Sequence, residues 1–260
     1  VFVELAPKLI ATILFSLCIP AILIFVFERV FVKCSPGAEW SPSRMTLGDL
    51  GFWFCYAVVF EFLLGIAPAY WISRDIVAML DKISIHPIPL HLAPLWIQIA
   101  VLFLFFDLLL YLNHRYVSHG IFWRFHRVHH GPPNVTWMLL YRVHPIELLC
   151  CGVYRVLTFV VFSADFANSL VWFGVLIAIP GLFAHANFQA KIGHLSRFFV
   201  TPQFHRIHHA TDPKYHNSNY GICLSLWDFI FGTATVDNKP IVNFGLVDHT
   251  SKPKELPTIG

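Results

Sequence analysis

Long uninterrupted apolar runs, rather than alternating or one-faced patterns, set the architecture of this chain. Residues 9–27 form one such run, closed by Glu28-Arg29. Crossing a bilayer takes about 20 apolar residues, so this run predicts a membrane span. It is long and has no small-residue cleavage site after it, which separates it from a secretion signal. The chain opens at Val1, and a few residues are expected to precede it. Residues 51–67, with Glu61 inside, predict a second span, and residues 94–112, carrying Gln98 and Asp107, predict a third. Residues 152–183 exceed one crossing and are broken by Ser163-Ala164-Asp165. That break predicts a helical hairpin that enters the bilayer and returns, with Asp165 and Asn168 at its far turn.

The stretches 113–150 and 186–236 are polar and aromatic, punctuated by Pro132-Pro133, Pro145, Pro202 and Pro213. They predict short helices and loops covering one end of the spans. The fold class expected is therefore all-α: an integral membrane, multi-pass helical bundle of about four spans, the last two as a hairpin, under a cytosolic histidine-rich helical cap. Three regions follow: residues 1–93 with the N-terminal spans and loops, residues 94–236 with the histidine-bearing domain, and residues 237–260 as a loosely ordered tail.

Composition supports a bilayer environment. Hydrophobic residues make up 57% of the chain and charged ones 13%, with a mean hydropathy of +0.63, outside the range of ordinary soluble domains. The net charge of +3 comes without a basic tract interleaved with aromatics, which excludes a nucleic-acid partner. Six cysteines form no C-x-x-C pair and read as small buried hydrophobes. Arg29, Lys33 and Arg44, with Arg115, Arg124, Arg127, Arg142 and Arg206 of the polar stretches, outnumber Lys8, Arg74 and Lys82 on the opposite side. This excess puts the histidine-rich face in the cytoplasm.

Chemistry is concentrated in two near-identical triplets, His126-Arg127-Val128-His129-His130 and His205-Arg206-Ile207-His208-His209. On a helix the spacing i, i+3, i+4 puts three imidazoles on one face, within reach of a common centre. Imidazole suits iron, zinc, copper and nickel, and six such ligands exceed what one tetrahedral zinc takes. His114 and His119 add an H-x4-H pair. On an ideal helix these two diverge by about 140°, so sharing a face requires a helix end or a π-bulge near Ser118 or Gly120. Eight histidines would give two centres about four nitrogen ligands each, and His185 is a ninth candidate. Asp107, Tyr111 and His114 share a face, which makes either of the first two a candidate to orient a ligand from behind. His144 stands between ligand and supporting residue, while His86, His91 and His249, and with them His194 and His216, read as non-ligands. The returning hairpin has a consequence here: an odd number of crossings between the triplets would separate them by the whole hydrocarbon thickness.

The chain resembles the fatty acid hydroxylase superfamily, which includes sterol desaturases, sterol C4-methyl oxidases and alkylglycerol monooxygenase. The matching text spans roughly residues 100–236. It comprises Asp107-x3-Tyr111-x2-His114-Arg115, Phe122-Trp123-Arg124-Phe125 before the first triplet, Arg142-x-His144-Pro145-x-Glu147, and Thr201-Pro202-Gln203-Phe204 before the second. Asn219-Tyr220-Gly221 and Leu224-Ser225-Leu226-Trp227-Asp228-x2-Phe231-Gly232-Thr233 complete it. The resemblance implies two iron ions held by His114, His119, His126, His129, His130, His205, His208 and His209, with His185 matching a further family histidine. His144, Asp107, Tyr111, Glu147, Asn219 and Asp228 are implied as ligands or supports. Two departures stand out: many bacterial members carry H-x3-H where this chain has H-x4-H, and Gln189 replaces a histidine found in lipid 2-hydroxylases.

The resemblance further implies an oxidoreductase that uses O2 and external electrons to hydroxylate, or less often desaturate, a lipid-like substrate: a sterol or triterpenoid, a carotenoid or a fatty acyl lipid. No haem-attachment, flavin or iron–sulfur pattern occurs, so a separate ferredoxin or cytochrome donor is expected. Two other classes compete. A histidine-rich metal-binding or transport protein would place ligands within the spans, and a zinc-dependent lipid hydrolase would need fewer histidines and a carboxylate base.

Overall fold

The structure, a computed structural model, describes residues 18–31, 51, 53, 67–163, 166–187, 193–237, 241 and 243–246. Among these, every regular element is helical and no strand occurs; two isolated bridges, Ile88 with Phe162 and Ala210 with Phe244, are the β-type pairings. In chain order the elements are α1 (Ile19–Phe31), α2 (Ala67–Asp81), α3 (Leu95–Leu112), α4 (Trp123–His130), α5 (Pro145–Val161), α6 (Phe166–His185), α7 (Pro202–His208) and α8 (Leu226–Ile230), with short 3-10 turns at Leu90–Leu92, Trp137–Tyr141, Gly193–Arg197 and Pro213–Tyr215.

α3 is the central post. Pro94, held extended, starts it where a missing N–H costs nothing. Its residues Leu102, Phe106 and Leu110 are buried against Phe159 of α5 and flanked by Ile177 of α6. α5 and α6 both pack on α3, α2 packs on α5, and α1 packs on α6. A helix that hydropathy does not single out as a span, α2 carries Arg74 and Asp75 on its solvent- or lipid-facing surface.

The break near residue 163 falls where the sequence predicts it, between α5 and α6. Its freed backbone groups are met by the segment before α3: Ile88 N–H donates to the Val161 carbonyl at 2.9 Å and Ser163 N–H donates to the Ile88 carbonyl at 2.9 Å. The His91 ring lies 3.1 Å from Ser163, a structural role at the end of the molecule far from the triplets. At the other end, Glu147 in the first turn of α5 lies beside His126, and α6 ends at His185 beside His129. The chain thus leaves the histidine region along α5 and returns to it along α6.

One described helix, Leu95–Ile121, is long and apolar enough to cross a membrane, and Ile19–Glu28 and Val175–His185 are shorter apolar helices. The part of the first predicted span before Cys18, nearly all of the second at 51–67 with Glu61, the hairpin turn at Asp165, Gln189 and His249 lie outside the described residues, as does most of the tail beyond Asp237.

Candidate metal centre

α3 does not stop at Leu112 but changes pitch. Residues Asn113–Ile121 form a π-helical segment, with Gly120 departing from helical geometry at its end. The wider π turn brings residues five apart into register. The rings of His114 and His119 accordingly lie 5.0 Å apart, which is how an H-x4-H spacing places both on one side. The second triplet is set by α7, where Thr201 caps the helix by accepting the Phe204 N–H at 3.1 Å and Pro202 occupies the first turn.

Neither triplet stays together. Nine imidazoles sort into two adjoining groups, within each of which the candidate ligand atoms all lie within 4.8 Å of one another. The first group is His114, His119, His126, His130 and His208; the second is His129, His185, His205 and His209. Each H-x-x-H-H motif therefore splits, its i and i+4 members going one way and its i+3 member the other. The groups touch: the rings of His130 and His209 stack at 4.3 Å, and those of His126 and His129 stack at 5.3 Å.

Hydrogen bonding fixes the ring tautomers. A carbonyl only accepts, so a ring nitrogen paired with one carries the proton and leaves the other nitrogen as a bare lone pair. His114 Nδ1 donates to the Tyr220 carbonyl at 2.7 Å, and His208 Nδ1 to that of Ser218 at 2.8 Å. His126 Nδ1 pairs with the buried Glu147 carboxylate at 2.6 Å. In the second group, His129 Nδ1 donates to Leu139 at 3.0 Å and His185 Nδ1 to Gly181 at 2.8 Å.

The opposite nitrogens then face each other. Nε2 of His114 lies 3.1 Å from Nε2 of both His126 and His208, and Nε2 of His129 lies 3.2 Å from that of His185. Lone pairs at that distance repel unless a cation sits between them. A proton is disfavoured: burial, reinforced by neighbouring imidazoles, holds His129, His130, His205 and His209 well below the ordinary imidazole range and pushes His208 down to about 3. His130 Nε2 and His205 Nδ1 are buried without a hydrogen-bond partner. The donor set thus fits a metal ion in each group, and neutral imidazole suits iron among others.

The predicted supporting residues take several places. Glu147 touches a ligand candidate directly, through His126. Asp107 accepts the Cys223 and Leu224 amides at 3.1 Å and the Trp227 indole N–H at 2.9 Å. Asp228 accepts the Tyr220 and Gly221 amides, both at 2.8 Å, and the Thr233 hydroxyl at 2.6 Å. Tyr111 pairs with Thr233 at 2.9 Å. Asn219, held at φ +58°, bonds Phe204 and Thr235. These four residues hold the loop 218–224 whose carbonyls orient His114 and His208. Gly221 has no alternative there, because a Cβ would lie 2.6 Å from the Leu224 carbonyl oxygen.

His144 belongs to neither group. It caps α5, its Nδ1 accepting the Ile146 N–H at 3.2 Å, with its ring against Phe125. His86 pairs with Asp81 at the surface, and His194 and His216 are exposed. The orienting carbonyls of Leu139, Gly181, Ser218 and Tyr220 have no sequence signature, since any residue supplies one.

A cavity of about 140 Å³ opens onto both groups, lined by His114 and His126 of the first and by His129, His185 and His205 of the second. Phe106, Leu110 and Ile177 wall it, and Asn113 and Arg155 add polar groups. Arg155 had a signal in the sequence, a charge inside an apolar run.

Comparison of the sequence with known proteins points to a family. The chain is 31% identical over 141 residues to ornithine lipid hydroxylase OlsE of Rhizobium tropici, covering 54% of this chain and 42% of that protein. It is 29% identical over 156 residues to alkylglycerol monooxygenase of Caenorhabditis elegans, covering 58% and 30%. It is 26% identical over 142 residues to fatty acid hydroxylase domain-containing protein 2 of Homo sapiens, covering 54% and 39%. The chain spans less than half the length of each of these relatives. No solved structure matches it. The profile described as Fatty acid hydroxylase matches residues 99–233, from near the start of α3 to Thr233, and the chain belongs to that family.

Proposed function

We propose that this protein is a membrane-bound non-haem di-iron oxygenase that hydroxylates a lipid-like substrate. The observation that carries the reading is the pair of adjoining all-imidazole groups, each with bare Nε2 atoms about 3 Å apart, opening on one shared cavity. The nine histidines of the two groups are the proposed ligands. Relatives named as hydroxylating ornithine lipid and as an alkylglycerol monooxygenase support a lipid substrate and monooxygenation. Hydroxylation is favoured over desaturation on the same ground.

Iron bound in the two groups would supply O2 activation and an oxidant strong enough to take hydrogen from an unactivated C–H bond. The chain's own residues hold and orient. Tyr220, Ser218, Leu139 and Gly181 carbonyls keep Nδ1 protonated and aim Nε2 inward, and Glu147 does the same for His126 while adding negative charge behind it. Phe106, Leu110 and Ile177 keep water from the substrate side of the site.

The reading places the protein in the bilayer as a multi-pass bundle with α3 as one span, α5 and α6 as a returning hairpin, and the metal face in the cytoplasm under the histidine-bearing cap. Outward-facing Ile22, Leu23 and Val26 of α1 and Val153 and Leu157 of α5 suit contact with lipid. Electrons come from a separate ferredoxin- or cytochrome-type donor. Metal analysis with oxygen uptake tests the reading: two irons per chain, and O2 consumption that requires both a reductant and lipid, are expected, with products gaining one oxygen atom. Zinc without O2 consumption would sink it in favour of a hydrolase.

A further inference from the structure

We infer that Glu28 of α1 is a positioning residue for the second imidazole group, acting through Asn187 and Arg206, so that a helix outside the family-matched stretch 99–233 is part of the metal centre. The role requires that the groups hold metal, which it shares with the oxygenase reading, and nothing of the reaction.

In the sequence Glu28 reads only as the polar close of an apolar run, yet it is 4% exposed. Its Oε1 accepts the Asn187 N–H at 2.5 Å. Asn187 lies two residues past His185, just beyond the C-terminus of α6. A carboxylate there meets the negative end of a helix dipole, in a buried place where an unpaired charge is costly. The opposite charge comes from Arg206 of α7, next to His205 in the chain. Its Nη2 donates to Asn187 Oδ1 and to the Val135 carbonyl, the latter at 3.4 Å. Burial pushes the guanidinium down to about 10 and the Glu28 charge works against that shift, so Arg206 is a cation at neutral pH. Asn187 thus takes the carboxylate with its backbone and the guanidinium with its side chain. The three residues tie α1 to the end of α6 and to α7. Those two elements carry His185 and His205, whose Nε2 atoms lie 2.9 Å apart.

The rest of α1 braces the same group from behind. Ala21, with Ile24 and Phe25, packs on Trp137, Tyr141 and Leu182. Trp137 and Tyr141 belong to the 3-10 turn whose Leu139 carbonyl orients His129, and Leu182 follows Gly181, whose carbonyl orients His185. Turn and helix meet closely, since a Cβ on Gly181 would lie 3.1 Å from Leu140 Cδ1. The packing of α1 falls on α6 and that turn, whereas the first group is supported by Glu147 of α5 and by the loop 218–221.

Metal binding tests this without turnover. Full-length protein in phosphatidylcholine nanodiscs is loaded with ferrous iron, and affinity is read by chelator competition. In His208→Ala, where the second group alone binds, adding Glu28→Gln keeps the shape of the side chain and removes its charge. Affinity should fall about tenfold. In His129→Ala, where the first group alone binds, the same change should do nothing. Arg206→Gln should reproduce the selective loss, and the two substitutions together should cost little more than either, because the residues act as one unit. Equal loss in both backgrounds overturns the proposal, since Glu28 would then only hold the fold, and so does no loss in either. If a single-histidine background binds no iron, release from the two-iron protein decides: Glu28→Gln must speed the loss of one iron alone, and speeding both or neither overturns the proposal. Zinc bound with the same selectivity and no O2 consumption would fault the oxygenase reading and leave the role of Glu28 standing.

Discussion

The two imidazole groups draw on the same two sequence motifs and yet are held differently. The first, with His114, His119, His126, His130 and His208, leans on a carboxylate, Glu147, and on the loop 218–221, which Asp228 and Asn219 hold in place. The second, with His129, His185, His205 and His209, leans on main-chain carbonyls of Leu139 and Gly181. A negative charge behind a ring raises its basicity more than a neutral carbonyl does. The first group is thus the more electron-rich, and the second is tied through His185 to α6, which borders the cavity together with α3 and α5. What the difference teaches is that a repeated motif need not make repeated sites: its i+3 member crosses over, so every triplet serves both groups.

The hardest test of that crossing is to remove one member from each group. His208→Ala should empty the first group and His129→Ala the second, each lowering iron from two to one per chain and taking activity below detection. Loss of both irons in either variant would mean that the groups are not separable. If each triplet instead held its own metal, His126→Ala and His129→Ala would deplete the same iron, whereas here they should deplete different ones.

Acid is expected to act on both groups together. An unfolded histidine titrates near 6.5, and the folded rings of His129, His130, His205, His208 and His209 titrate lower because they are buried. Between those values the unfolded chain binds more protons than the folded one. The stability of the metal-free protein is therefore full above about pH 6.5 and falls as pH drops below it, by about 1.4 kcal/mol per pH unit for each such histidine. Thermal melts from pH 8 to pH 5 should show a plateau and then a steep decline, with iron released over the same window. A flat profile would mean that the rings are not buried as neutral groups.

How much of this was legible beforehand follows from which forces leave a trace in sequence. Apolar runs set α3 and the break at Ser163, because hydrocarbon tolerates no charge and no unpaired backbone over such lengths. The H-x4-H spacing required a helix end or a π-bulge, and the π-helical segment Asn113–Ile121 supplies the second. The split of the triplets was not legible, since i, i+3 and i+4 share a face and it is the approach of His114 and His185 from other elements that sorts them. Asp107 was placed behind His114 on helical phase, yet it reaches Cys223, Leu224 and Trp227, partners more than a hundred residues away that no local pattern encodes.

A smaller effect sharpens the asymmetry between the groups. Glu147→Gln keeps the size and one acceptor of the side chain but removes its charge, so metal affinity at the first group should fall on the order of 10–100-fold. The second group, oriented by carbonyls, should be unchanged. Chelator competition then gives two release phases of which only one moves; a parallel shift of both would mean that Glu147 acts on the fold rather than on His126.

The smallest expected effect concerns a histidine that sequence proximity puts among the ligands. His144 lies three residues before Glu147, and its ring packs on Phe125, immediately before His126. Its Nδ1, however, accepts the Ile146 N–H at the start of α5, so that nitrogen's lone pair is already engaged. His144→Ala removes a cap, at a cost of about 1 kcal/mol, and exposes the start of α5 to fraying beside Glu147. Iron should stay at two per chain and the melting temperature should drop by a few degrees, whereas His144→Asn, which can also cap, should recover most of the loss. Iron falling to one per chain in the alanine variant, with no recovery by asparagine, would make His144 a tenth ligand and the first group's support something other than Glu147 alone.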